Sequence, residues 1–173
     1  MSDRFAPLYV FVHIPKTGGT TVTAHLRSNL EWDQEVVDLG PWGEDYRARN
    51  DLAPFSERPE EERAETLVLA GPKSTADLAL VPGRPIRYVT FVRDPADRLV
   101  SMFNIRTSRP QNATLGFEEW YGNLKPNPMF RWLRRRLDVD SMSELKDSLR
   151  DFWFVGTTDH LNDDLPGVFA AMG

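Results

Sequence analysis

Five apolar, β-prone residues, Leu8-Tyr9-Val10-Phe11-Val12, run into His13-Ile14-Pro15-Lys16-Thr17-Gly18-Gly19-Thr20-Thr21, and together these segments leave few folds open. The apolar run reads as a short buried strand that stops at Pro15 and the glycine pair. Val22, Leu26 and Leu30 then recur near helical spacing, with Thr20 and Thr21 placed to cap a helix through Asn29. Strand, glycine loop and helix in that order bring the free amides of a helix start beside a backbone that can wrap closely around an anion. Lys16, Thr17, Gly18, Gly19, Thr20 and Thr21 are therefore candidate phosphate-binding residues, with the lysine supplying charge and the hydroxyls further donors. In the GxxxxGK[ST] phosphate loop the lysine follows the glycines. Here it precedes them, which argues against a kinase or ATPase.

A second unit of the same kind follows. Ile86 to Val92 is strand-like and leads into Arg93-Asp94-Pro95, after which Leu99, Val100, Met102 and Phe103 suit a helix with Pro95 in its first turn. Weaker strands are expected at Glu35–Leu39, Thr66–Ala70 and Phe152–Val155. Helices are expected at Ser74–Leu80, Leu115–Leu124, Pro128–Leu137 and Ser141–Leu149. The stretch from Gly40 to Arg63 reads as a long, partly irregular insertion, and the charge run from Glu57 to Glu65 as a solvated helix face or loop. Strands alternating with helices imply a mostly parallel sheet covered on both faces, an α/β class.

Size and charge narrow the function. At 173 residues the chain matches one ordinary domain, 1–173. Its net charge of −5 argues against a general nucleic-acid binder, so any anion site must be local. Cysteine is absent, which removes disulfides, zinc thiolates, iron–sulfur clusters and a cysteine nucleophile. Pro7 to Ile14 falls far short of the ~20 apolar residues that span a bilayer, and no basic segment precedes it as in a signal peptide. The expectation is a cytoplasmic protein with no membrane span. The sequon Asn112-Ala113-Thr114 is a common chance pattern and carries little weight.

The loop His13-Ile14-Pro15-Lys16-Thr17-Gly18-Gly19-Thr20 resembles the one that binds the 5′-phosphosulfate in sulfotransferases using 3′-phosphoadenosine 5′-phosphosulfate (PAPS), most of all the heparan sulfate 2-O-sulfotransferase-like family and its bacterial relatives. A second segment, Phe91-Val92-Arg93-Asp94-Pro95-Ala96-Asp97-Arg98-Leu99-Val100-Ser101-Met102-Phe103, is similar to that family's 3′-phosphate site. The resemblance implies that Arg93 and Ser101 hold the 3′-phosphate. Arg93 can offer forked donors and Ser101, two turns into the helix, a hydroxyl. Phe154-Val155-Gly156-Thr157-Thr158-Asp159-His160-Leu161 is more weakly similar to the late strand and loop near the adenosine.

The fold implied is a P-loop NTPase-like three-layer sandwich. The implied reaction transfers a sulfuryl group from PAPS to a hydroxyl of a carbohydrate or small-molecule acceptor, with Lys16 stabilising the charge on the leaving oxygen and no metal required. A non-catalytic module that binds the product nucleotide, and a P-loop kinase, remain as rival readings. Many members carry Gly-His after the third strand, and that histidine deprotonates the acceptor. Here the place reads Gly71-Pro72-Lys73, and Glu44, Asp45 or Lys73 are open candidates for the base. Relatives usually continue well past the segment matching Asp159 to Met172, so the chain reads as a compact member or as a fragment short of the usual C-terminal helices. Arg131, Arg134 and Arg135 share one face of an expected helix whose other face carries Phe130, Leu133 and Leu137. That is an amphipathic surface helix, or a contact for an anionic acceptor.

Overall fold

The computed structural model describes residues 6–31, 34–38, 58–71 and 84–172. Five strands form one wholly parallel sheet: β1 (Leu8–Phe11), β2 (Val36–Asp38), β3 (Val68–Ala70), β4 (Ile86–Val92) and β5 (Phe154–Thr157), in the order β2-β3-β1-β4-β5. The helices are α1 (Gly19–Asn29), α2 (Glu60–Glu65), α3 (Pro95–Thr107), α4 (Phe117–Gly122), α5 (Pro128–Leu137), α6 (Met142–Arg150) and α7 (Leu161–Met172). This is the α/β three-layer sandwich expected from the alternation of strands and helices.

The layers follow from side-chain alternation along β1 and the residues after it. Leu8, Val10, Val12 and Ile14 point to one face, where they meet Leu133 and Leu137 of α5 and Leu145 of α6. Tyr9 and Phe11 point to the other, where they meet Val22 and Leu26 of α1 and Leu161 and Leu165 of α7. Every one of these β1 side chains is buried, as a central strand covered on both faces requires, each worth about 1.5–3 kcal/mol of transfer free energy. At the opposite end of the sheet from the glycine loop, the buried Arg84 guanidinium donates to the carbonyls of Ala6, Pro7, Arg63, Ala64 and Thr66. It ties the entry to β1 to the end of α2.

Several expectations shift. The α1 cap is Gly18, in a left-handed conformation and with no side-chain cap, rather than Thr20 or Thr21, which lie in the first turn. The acidic run contains the short helix α2, which buries nothing. Ser141 is the cap of α6 and forms a capping box with Glu144, a pairing the sequence displays at the required spacing. The C-terminal segment, read as strand end and loop, continues as α7 with Pro166 inside it. Gly40 to Glu57, Ser74–Leu80, Pro72, Lys73, Glu44 and Asp45 lie outside the described residues.

Candidate active site

Parallel strands carry their C-terminal ends to one edge of the sheet, and β1 and β4 are neighbours there. Phe11 pairs with Val89 and the Val12 N–H donates to the Val89 carbonyl at 2.9 Å. Neighbouring strands lie about 4.8 Å apart. The loop that leaves β1 at Val12 and the turn that leaves β4 at Arg93 therefore emerge side by side, at the edge where open α/β sheets hold ligands.

The β1 loop is held by its carbonyls. Thr90 Oγ1 donates to the Val12 carbonyl at 2.7 Å, Trp132 Nε1 to that of His13 at 3.1 Å, Thr17 Oγ1 to that of Ile14 at 2.8 Å, and Arg98 Nε to that of Pro15 at 2.9 Å. Four consecutive acceptors are thus tied down by side chains from β4, α5, the loop itself and α3. A trans peptide points its C=O and the next N–H in opposite directions, so the Lys16 amide faces away from Arg98. Lys16 takes φ 71° and Gly18 φ 85°. A non-glycine residue in the left-handed region costs on the order of 1 kcal/mol, and such strain collects at functional sites. Beyond Gly18, the Thr21 and Val22 amides turn back to its carbonyl, which starts the helix and leaves the Gly19 and Thr20 amides among the orphan donors of its first turn.

The two glycines have different physical causes. Gly18 needs the left-handed conformation, and a Cβ there would meet Leu161 Cδ2 at 2.6 Å. Gly19 is helical, but a Cβ would stand 1.5 Å from His13 Cε1, inside the imidazole. On the other side of the site, the Asp94 carboxylate caps α3 by accepting from the Ala96 and Asp97 amides. That arrangement sets Arg93 at the strand end and leaves Ser101, like Arg93, half-buried on α3. Thr158 Oγ1 donates to the Val92 carbonyl at 3.0 Å and so fastens the end of β5 beside the same turn.

A sequence model of the sulfotransferase family matches residues 8–173. The chain belongs to the sulfotransferase family. A comparison with curated proteins found no match. Sulfuryl transfer is the general activity of the family.

Within this sulfotransferase, the residues expected from sequence fall into two groups that the β1–β4 pairing brings to one edge: Lys16, Thr17, Gly18, Gly19, Thr20 and Thr21 on the loop, and Arg93 and Ser101 beyond β4. Thr17 is fully buried and its hydroxyl proton is committed to Ile14, so its side chain closes the loop. Arg98, which lies in the segment similar to the 3′-phosphate site but was given no role there, is buried and reaches across to Pro15. The signal was present: Arg98 precedes Ser101 by three residues, on the same face of α3. On α5, Arg131, Arg134 and Arg135 are exposed as expected and Arg134 pairs with Asp140, but Arg136 is buried with its guanidinium 4.7 Å from the Trp132 ring centre. Among the described residues no group of three or more His, Asp or Glu side chains is set to hold a metal ion, and no helix is long and apolar enough to cross a membrane.

His13 is neutral in this site. Burial, aided by the Lys16 charge, pushes its pKa from 6.5 down to about 4. The unfolded chain therefore binds a proton between pH 6.5 and 4 that the folded chain refuses, and stability rises with pH across that window. It is complete above pH 6.5 and lost as the pH falls toward 4, by about 3 kcal/mol from this one group. Denaturant unfolding at pH 7 and pH 4.5 should show the loss, and His13→Gln should show a smaller one. An equal pH dependence in the two chains would assign it elsewhere.

Proposed function

We propose that the chain is a PAPS-dependent sulfotransferase that transfers the sulfuryl group to a hydroxyl of a carbohydrate or small-molecule acceptor. The observation that carries this reading is the pairing of β1 with β4, which sets the loop from Lys16 to Thr21 beside the turn with Arg93 and Ser101, the two segments this reading takes as its anion sites. A nucleotide phosphorylated at both its 3′ and 5′ positions needs two such features. A nucleoside triphosphate needs one extended cradle with a magnesium ligand.

In this reading the Gly19 and Thr20 amides, the Lys16 amide and the Thr20 and Thr21 hydroxyls hold the 5′-phosphate, and Thr17 acts through the loop it closes. Arg93 and Ser101 take the 3′-phosphate. The acceptor hydroxyl oxygen attacks sulfur and gives up its proton to water, the bond from sulfur to the bridging phosphate oxygen breaks, and the electron pair stays on that oxygen as 3′-phosphoadenosine 5′-phosphate (PAP) leaves. The Lys16 ammonium stabilises the charge that develops there, and the rest of catalysis is positioning. His13, buried and neutral with its pKa near 4, is part of the loop's packing rather than the base for the acceptor.

A ligand that binds only the folded state raises the melting temperature. PAP without metal should raise it, and ADP with magnesium should not. A shift with ADP and magnesium but none with PAP overturns the reading in favour of a kinase-like protein. Radiolabelled sulfate transfer from PAPS into a mixed library of hydroxyl acceptors then tests catalysis. Binding of PAP with no transfer to any acceptor would leave a nucleotide-binding module.

A further inference from the structure

The Arg98 guanidinium lies beneath the glycine loop with no ionic partner among the described residues. Its side chain projects from α3, only 3% of the residue's surface is exposed, and its Nε donates to the Pro15 carbonyl at 2.9 Å. Buried guanidinium groups are ordinarily paired, because a buried charge left alone is costly. Among the described residues no carboxylate lies within ion-pair distance of Arg98. Asp94, one turn earlier on the same helix, spends its carboxylate on the helix cap. Burial lowers the Arg98 pKa, and among the described residues no acidic neighbour opposes the shift.

The bond to Pro15 has a second consequence. It fixes the plane of the peptide between Pro15 and Lys16, and with it the direction of the Lys16 amide and the left-handed turn from which the Lys16 side chain departs. The other three loop carbonyls are held by side chains that carry no charge, so Arg98 alone joins loop geometry to electrostatics.

We propose that Arg98 is a positioning residue of the donor site: its Nε sets the Pro15–Lys16 peptide so that Lys16 is aimed at the reacting group, and its charge is answered by the phosphate groups that the loop binds. The inference deepens the donor-site reading above and rests on it.

The test compares wild type, Arg98→Met and Arg98→Lys for melting temperature, for the shift produced by PAP and separately by inorganic pyrophosphate, and for kcat and KM with PAPS. Arg98→Met should bind PAP about 10- to 100-fold more weakly, with a smaller thermal shift, and should also lose kcat because Lys16 is no longer aimed. Arg98→Lys keeps the charge and one donor and should lie between the two, which keeps the inference testable if the methionine variant does not fold. A merely structural arginine predicts lower melting temperatures with PAP shifts, KM and kcat unchanged in whichever variants fold, and that result overturns the proposal. If wild type responds to pyrophosphate but not to PAP, the nucleotide reading fails, and Arg98 is judged by whether its replacement weakens the pyrophosphate response. No response of wild type to either anion overturns both.

Discussion

Lys16→Met should lower sulfuryl transfer by about 10²- to 10³-fold, the usual effect of removing one group that stabilises charge in a transition state. The substitution keeps the length of the side chain and removes the ammonium, so the loss should fall on kcat more than on nucleotide affinity, which in the proposed donor site still rests on the loop amides, Arg93 and Ser101. The PAP-induced rise in melting temperature should therefore survive, reduced. Lys16→Gly separates charge from backbone strain. It also removes the amine, but glycine accepts φ 71° without penalty, so that variant should be as inactive as Lys16→Met and more stable by about 1 kcal/mol. Transfer that continues at the wild-type rate in either variant would take Lys16 out of the mechanism.

Gly19→Ala should be severely destabilising. The new Cβ would lie 1.5 Å from Cε1, 2.2 Å from Nδ1 and 2.7 Å from Nε2 of His13, so it falls on the ring itself. The ring has no easy retreat. It is buried, it meets Phe11 edge-on at 5.5 Å, and the carbonyl of the same residue is held by Trp132. Overpacking of this severity is expected to cost at least about 3 kcal/mol, and the melting temperature should fall by roughly 10 °C. His13→Ala placed in the same chain removes the obstacle and should restore part of the loss, a strongly non-additive pair. A double variant no more stable than Gly19→Ala alone would show that His13 is not what excludes a side chain there.

Much of this was legible along the chain because it is local. The strand from Leu8, the glycine loop and the helix after it follow from period, punctuation and the left-handed freedom of glycine. Pro128–Leu137 was bounded correctly because a proline start and an amphipathic face mark it without reference to the rest of the fold. Where the reading slipped, the cause lay elsewhere in the molecule. Thr20 and Thr21 are good capping residues, yet the cap lies at least two residues earlier, at Gly18, which turns left-handed beside Leu161 of α7. That terminal helix was itself missed, since Pro166 interrupts its pattern and its stability comes from burying Leu161, Leu165 and Val168.

The same division holds for the site. Residue types and spacing alone determined that a glycine loop follows the first strand, that a turn carrying arginine follows a later one, and that Lys16 precedes the glycines instead of following them. Only the tertiary structure decided that the two turns share one edge, because β1 pairs with β4 across 78 residues of sequence. It alone decided that Thr17 faces inward, that His13 occupies the space a side chain at Gly19 would need, and that Arg98 lies under the loop. The physical reason is that a hydroxyl or guanidinium has no role until its partners are in place, and the carbonyls these groups hold are supplied by packing, which no local pattern records.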